Sequence, residues 1–262
     1  TGNVTILLND GTGDMLSGTN YAMGASCTQL AVADFDADGI LDVGAACNSA
    51  FTYIPGNGDG SFGSRVTASV AASLTGIVSG DFDDDGFIDV VVLASNTNAQ
   101  VISMLNDGSG LFDGNISNTP SGIDYPSFGV AGDFNGDGNL DVAFGSNTTH
   151  LKIMLGDGSG SFSAVPSIPA SSGFMASLDE GDFNNDGKTD IVAANYSNNP
   201  GDPTFDVYLY QDAITDFALN FDGGEFVSIT HTNDFNFSGG DFTISFWVNP
   251  TGANAEIVSK RA

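Results

Sequence analysis

One nine-residue pattern occurs four times in this chain and constrains its fold more than any other feature. Each copy has Asp or Asn at positions 1, 3 and 5, Gly at position 6 and Asp at position 9. The copies begin at Asp34, Asp81, Asp133 and Asp182, so their starts lie 47, 52 and 49 residues apart. A repeat of this length indicates an array of similar structural units.

Short apolar segments flank every copy of the pattern. One precedes each acidic loop, a second follows it, a third leads into a Gly-rich turn in the first three repeats (56–62, 106–112 and 156–162), and a more variable fourth follows. Asp-Gly turns are typical of hairpins, and no run shows convincing helical periodicity. The sequence therefore predicts an all-β fold with four strands per repeat, as in one blade of a β-propeller.

The acidic loops predict hard-cation sites. Alternate residues of a tight loop point inward, so positions 1, 3 and 5 would supply side-chain oxygens, position 7 a backbone carbonyl and position 9 a closing carboxylate. Gly at position 6 suits a sharp turn. The predicted metal ligands, loop by loop, are Asp34, Asp36, Asp38, Ile40 and Asp42; Asp81, Asp83, Asp85, Phe87 and Asp89; Asp133, Asn135, Asp137, Asn139 and Asp141; and Asp182, Asn184, Asp186, Lys188 and Asp190.

An EF-hand, a soft-metal site and a solvated acidic turn each fit these loops less well. An EF-hand needs Glu at position 12 and two flanking helices, whereas position 12 is Ala45, Val92, Phe144 and Ala193 and the flanks are strand-like. Soft metals are excluded because no His or Cys lies in the loops. Solvated acidic turns could account for one copy, but they do not account for four copies in register.

The charge balance excludes some classes of partner. Asp plus Glu number 33 against 5 Lys plus Arg, which gives a formal net charge of −28. A nucleic-acid-binding protein needs a basic surface, so we expect no nucleic-acid partner. Binding to an anionic membrane is disfavoured for the same reason, and we expect no membrane insertion.

The four loops and the Gly-rich turns resemble the FG-GAP/VCBS repeat family, known from the propeller of integrin α-subunits. The resemblance covers residues 1–212. It implies a β-propeller with calcium bound in the hairpin loop of each such blade, hence about four calcium ions. Four repeats are complete, and residues 1–26 match the second half of a preceding blade, beginning at its third strand. We expect upstream blades to be missing, although the first strand could instead complete the ring or pair with another chain.

Residues 213–262 show a different pattern. The segments ALNFDGGEFVSI, DFTISFWV and EIVSK resemble the start of a LamG-like, concanavalin A-type jellyroll. The match covers about a third of such a domain, so we expect an incomplete jellyroll after the propeller. Extra hairpins that cap the propeller are the alternative.

The two cysteines, Cys27 and Cys47, flank the first acidic loop. If the strands on either side of that loop pair, the cysteines would meet across a hairpin and could form a disulfide, which suits a secreted protein. The alternative, two small buried apolar side chains, remains open at this point.

The motifs favour binding over catalysis. No nucleophile elbow or phosphate-binding Gly loop occurs, and the two histidines, His150 and His231, lie in polar segments. We expect no catalytic residues. The family resemblance suggests an extracellular or cell-surface adhesion protein that binds a glycan or a protein. The alternatives are a structural subunit of an extracellular fibre, with possible self-assembly, and a non-catalytic module of a secreted polysaccharide-active enzyme.

Overall fold

A computed structural model describes residues 2–24, 26–95, 99–118, 126–146, 150–169, 174–196, 204–209 and 218–220. Over these residues all regular structure is β-strand, which confirms the all-β prediction. No helix that could cross a membrane occurs there. The chain divides into two units, Thr1–Val227 and Ser228–Ala262. The second unit, and with it most of the jellyroll-like segment, lies outside the described residues.

Antiparallel sheets follow one another along the first unit. A two-stranded sheet contains β1 (Gly2–Ile6) and β2 (Thr19–Gly24). The sheet of the first repeat contains four strands, which lie side by side in the order β3 (Cys27–Ala33), β4 (Asp42–Cys47), β5 (Ala50–Ile54) and β6 (Val66–Ser69). The sheet of the second repeat contains β7 (Leu74–Gly80), β8 (Asp89–Ala94), β9 (Gln100–Asn106) and β10 (Phe112–Asn118).

The third and fourth repeats build sheets of the same order. The third contains β11 (Pro126–Gly132), β12 (Asp141–Ser146), β13 (His150–Gly156) and β14 (Phe162–Ala164), with β15 (Ile168–Pro169) also paired to β13. The fourth contains β16 (Phe174–Gly181), β17 (Asp190–Tyr196), β18 (Thr204–Tyr208) and β19 (Ala218–Asn220). Residues 218–220, where the jellyroll-like match begins, thus pair with β18.

Strand burial follows the apolar pattern of the sequence. The strand after each of the first three loops, β4, β8 or β12, is buried at every residue. A strand that is apolar at nearly every position fits burial on both faces, between two neighbouring sheets. The strand before the first loop, β3, instead alternates between partly buried and exposed residues, as expected when one face is solvated.

A β-bulge near the start of the first strand recurs in all four repeats. Register shifts lie between Cys27/Gln29, Leu74/Gly76, Ser127/Gly129 and Met175/Ser177. A bulge bends the strand and increases its local twist. The sequence alone does not reveal this feature, because no residue type marks it in all four copies.

Neighbouring sheets pack face to face through apolar clusters. One cluster joins Phe35 and Phe51 of the first repeat to Val92 and Phe112 of the second. Similar clusters join the second repeat to the third, the third to the fourth, and the β1–β2 sheet to the first repeat. The core is therefore distributed over the repeat interfaces, as in other repeat architectures.

Cys27 and Cys47 form a disulfide. They are directly opposite each other in the ladder between β3 and β4, so the bond closes the first acidic hairpin. Of the two possibilities that the sequence leaves open, the bridge is therefore the correct one. The other three acidic hairpins have no cysteine pair.

We expect the disulfide to stabilise the first repeat mainly by restricting the unfolded chain. Closing a loop with a sequence separation of 20 residues contributes about 3 kcal/mol in the chain-entropy treatment. The double variant Cys27→Ser/Cys47→Ser should lower the free energy of unfolding by that order, as measured by urea titration. Reductant should destabilise the parent chain and leave the variant unchanged. Equal midpoints for oxidised and reduced parent chain would contradict this expectation.

Candidate metal centres

Each acidic loop connects the first and second strands of its repeat. Position 1 lies just after the first strand, and position 9 is the first residue of the second strand. Three intervening residues of the first loop, Asp36, Asp38 and Ile40, lie in a short segment of consecutive bends. The four loops therefore occupy the same end of their respective hairpins.

The position-1 carboxylate organises the loop through backbone hydrogen bonds. In the first repeat, Asp34 Oδ1 accepts from the Asp38 N–H at 3.1 Å, and Asp34 Oδ2 accepts from the Gly39 N–H at 2.8 Å. The same two bonds recur at Asp81, Asp133 and Asp182. Each oxygen retains a further lone pair, so this role leaves room for a cation.

Two backbone positions in each loop are left-handed. Gly at position 6 has a positive φ in every copy, for example 87° at Gly39, which fits the sharp turn that the sequence predicts there. Position 4 also has a positive φ: 59° at Ala37, Asp84 and Asn185, and 77° at Gly136. Sequence reasoning missed position 4. The signal is Asp, Gly or Asn at this position in three of the four copies, since these residues tolerate the conformation better than most others; Ala37 does not carry the signal.

The position-9 aspartate has a structural role that sequence reasoning also missed. In the first repeat Asp42 is fully buried. Its Oδ2 accepts from the Phe35 N–H and its Oδ1 from the Gly56 N–H, both at 2.8 Å. Asp42 thus joins position 2 of its own loop to the start of the Gly-rich turn.

The second and third repeats repeat this arrangement. Asp89 accepts from the N–H groups of Phe82 and Asn106 at 3.0 and 2.8 Å. Asp141 accepts from those of Phe134 and Gly156 at 2.8 and 2.9 Å. Both carboxylate oxygens at position 9 therefore have backbone partners before any metal ligation is considered.

Two loops bring three carboxylates together. In the groups Asp34/Asp36/Asp42 and Asp81/Asp83/Asp89, one carboxylate oxygen from each residue lies within 4.8 Å of the other two. Such a group could hold a metal ion. The predicted ligands Asp38 and Asp85 lie outside these groups, and each accepts instead from the N–H of position 7, at 2.8 and 2.9 Å.

The third and fourth loops have Asn at position 3 and form no such group of three carboxylates among the described residues. The Asn135 amide donates to Asp137 at 2.9 Å, and the Asn184 amide donates to Asp186 at 3.0 Å. The amide oxygen of Asn135 in turn accepts from the Asp137 N–H at 2.8 Å. Ligation by these amides, and by the position-7 carbonyls of all four loops, stays a prediction.

The first loop has an acceptor that the protein leaves unsatisfied. Asp36 Oδ1 is buried and has no hydrogen-bond partner in the part of the chain that the structure describes. A buried carboxylate oxygen without a partner is costly. A hard divalent cation would supply the missing interaction, since such cations are bound by oxygen ligands of this kind. The residues present therefore fit a bound cation.

The electrostatics of the loops point the same way. Burial, followed by the charge of the position-5 aspartate, raises the pKa of Asp36 and of Asp83. Burial also raises the pKa of Asp42, and it raises the pKa of Asp89 and Asp141 to about 6 despite their backbone hydrogen bonds. Negative charge in these loops is therefore unfavourable in the absence of a cation, and a cation would lower each of these pKa values.

We expect the Asp89→Asn variant to be destabilised by about 1–3 kcal/mol, because an amide nitrogen cannot accept one of the two backbone N–H groups. The Asp84→Asn variant is the matched control: it removes the same charge from position 4 of the same loop and should change stability by less than about 0.5 kcal/mol. Urea unfolding in excess chelator measures both. Equal effects of the two variants would contradict the assigned role of position 9.

The raised pKa values predict the pH dependence of the chelated protein. The ordinary pKa of an aspartate is 3.8, whereas burial raises the pKa of Asp89 and of Asp141 to about 6 in the folded chain. The folded state therefore binds more protons between these limits, and its stability falls as the pH rises through about 6. In excess chelator, acidification from about pH 7 to pH 5 should raise the melting temperature, at high salt to screen exposed charges. A lower melting temperature at pH 5 would contradict the assignment.

Comparison with known proteins identifies the repeat. The FG-GAP-like repeat family matches residues 34–92, 81–144 and 133–193. Each match begins at position 1 of one acidic loop and extends past the end of the next, so together the matches include all four loops. No curated protein shows significant similarity to the chain. Because the matches span more than half of its residues, the chain belongs to the FG-GAP-like repeat family.

Proposed function

We propose that this chain is a calcium-binding β-propeller module of an extracellular protein, and that it acts in adhesion by binding a glycan or a surface protein. The observation that carries the proposal is the first acidic loop, where three carboxylates converge and Asp36 Oδ1 is buried without a donor among the described residues. Calcium is the cation we favour, because it accepts many oxygen ligands in a flexible shell.

We expect about four calcium ions, one in each complete repeat. The ligands are the side chains at positions 1, 3, 5 and 9 and the carbonyl at position 7. The first two loops should bind more tightly than the third and fourth, because Asn replaces a carboxylate at position 3 and affinity follows ligand charge.

Two further features support the architecture and the location. Four-stranded antiparallel sheets that pack face to face in chain order are what stacked propeller blades would require. The Cys27–Cys47 disulfide and the FG-GAP-like repeats fit an extracellular protein. The jellyroll-like segment would add a second binding surface, and it stays a prediction.

We expect calcium to stabilise the chain strongly. At a free concentration tenfold above Kd, each site contributes about 1.4 kcal/mol and four sites roughly 6 kcal/mol. Calcium titration by calorimetry should give about four ions for the parent chain, and Asp83→Asn should weaken one of the two tighter sites to the affinity of the third and fourth loops, which carry Asn at the same position. Asp84→Asn, which changes the neighbouring charge, should retain the parent affinities. An unchanged melting temperature in excess chelator would disprove the calcium proposal.

The adhesion proposal needs a separate measurement. The full chain should bind a subset of ligands on arrays of glycans and extracellular-matrix proteins in calcium, and lose that binding in chelator as the repeats are destabilised. Asp83→Asn should weaken binding more than Asp84→Asn. Failure to bind on both arrays, with calcium stoichiometry intact, would disprove adhesion while leaving the metal sites in place.

A further inference from the structure

One buried side chain, that of Asn106, lies between the first acidic loop and the second. Asn106 is the last residue of β9, at the start of the second Gly-rich turn, and it is 1% exposed. Its Nδ2 donates at 2.9 Å to the carbonyl of Phe35, at position 2 of the first loop. The same nitrogen donates at 3.1 Å to the carbonyl of Ile88, at position 8 of the second loop. The Asn106 amide therefore joins the backbones of two acidic loops that belong to different repeats.

The remaining polar groups of Asn106 also have partners. Its Oδ1 accepts from the N–H groups of Gly108 and Gly110, in its own turn, at 3.1 and 3.2 Å. Its backbone N–H donates to Asp89 Oδ1 at 2.8 Å. A side-chain amide offers two N–H donors and two oxygen lone pairs, and here all four are used. A shift of either loop away from Asn106 would leave a buried polar group unsatisfied, which is costly.

Both loops that Asn106 joins are candidate metal centres. Phe35 lies between Asp34 and Asp36, which belong to the first group of three carboxylates. Asp89, which accepts from the Asn106 N–H, is itself a member of the second group. Asn106 thus contacts the backbone that carries one carboxylate group and a carboxylate of the other.

The contact between the second and third loops lacks such a side chain. Gly156 occupies the position of Asn106 at the start of the third Gly-rich turn, and its N–H makes the corresponding bond to Asp141 Oδ1 at 2.9 Å. The carbonyl of Phe82, at position 2 of the second loop, accepts instead from the Gly160 N–H at 2.8 Å. At this interface the two loops are therefore held by different residues of the turn, which are four positions apart.

Aromatic packing does not distinguish the two interfaces. The ring of Phe112 packs edge-on against that of Phe35, with centroids 6.1 Å apart. The ring of Phe162 packs edge-on against that of Phe82, with centroids 5.7 Å apart. The second loop thus has a neighbour on either side with similar apolar packing, and the Asn106 amide is present on one side only.

We infer that Asn106 is a positioning residue that couples cation binding in the first loop to cation binding in the second. When the carboxylates of the first loop converge on a cation, the Phe35 backbone between them becomes fixed, and the Asn106 amide that it holds fixes Asp89. Order already established in one loop lowers the entropic cost of binding in the other, so the coupling is positive. It is also reciprocal. The inference rests on the proposed function, because it requires cations in the loops.

A calcium titration of the full chain, followed by NMR, tests this coupling. The position-6 N–H donates to the position-1 aspartate in each loop, so Gly39, Gly86 and Gly138 report the first, second and third loops separately. Asp83→Ala removes a predicted ligand from the second loop. It should raise the apparent Kd of the first loop, read at Gly39, at least about fivefold, and that of the third loop, read at Gly138, less than about twofold.

Asn106→Gly supplies the matched comparison. Gly occupies the same position in the first and third turns, at Gly56 and Gly156, and the variant keeps the backbone N–H that donates to Asp89. In this background Asp83→Ala should raise the apparent Kd of the first loop less than about twofold. If Asn106→Gly does not fold, the unequal response of the first and third loops in the otherwise parent chain still decides the question.

The possible outcomes separate the coupling from the metal sites themselves. Removal of the Asp83 charge acts on both neighbours, and about 0.15 M salt screens it. Equal responses of the first and third loops would therefore overturn the inference, and so would coupling that survives Asn106→Gly. Both results would leave the calcium sites in place. Calcium that shifts none of the three glycine signals would instead contradict the proposed function, and the coupling with it.

Discussion

The buried aspartate at position 9 is the group on which each repeat depends. Asp42 has no access to solvent, and its two oxygens accept N–H groups from Phe35 and Gly56. One donor lies in the acidic loop and the other at the start of the Gly-rich turn, so a single carboxylate fixes the acidic loop, the second strand and the Gly-rich turn relative to one another. Hydrogen bonds from backbone amides compensate in part for the removal of the charge from water.

The same carboxylate creates an electrostatic conflict. Burial raises the pKa of Asp89 and Asp141 to about 6, and burial and neighbouring charges raise the pKa of Asp36 and Asp83. The protein therefore concentrates negative charge where it is least well solvated. A bound divalent cation would offset this electrostatic cost, because the carboxylates that repel one another would each be attracted to the cation. Metal binding and hydrophobic packing would then both stabilise each repeat.

Packing between repeats connects each acidic loop to the repeat that follows it. Phe35 follows Asp34 directly, and it is buried under Phe112 of the following repeat. A change in the structure of one acidic loop should therefore alter the packing at the interface with the next repeat. This is expected of an array in which each unit contacts mainly the units beside it.

Local sequence determined much of this protein. The fourfold pattern predicts the all-β class, four strands per repeat, the sharp turns at glycines such as Gly39, and the loops that carry the acidic residues. These features follow from residue type and spacing over fewer than ten positions, and local sterics and turn chemistry decide them. Tertiary structure decided what depends on strand pairing and sheet packing. Examples are the Cys27–Cys47 disulfide, the hydrogen bond from the Gly56 N–H to Asp42, and the packing of Phe112 against Phe35. These contacts join residues that are distant in sequence, and only the pairing and stacking of sheets brings them together.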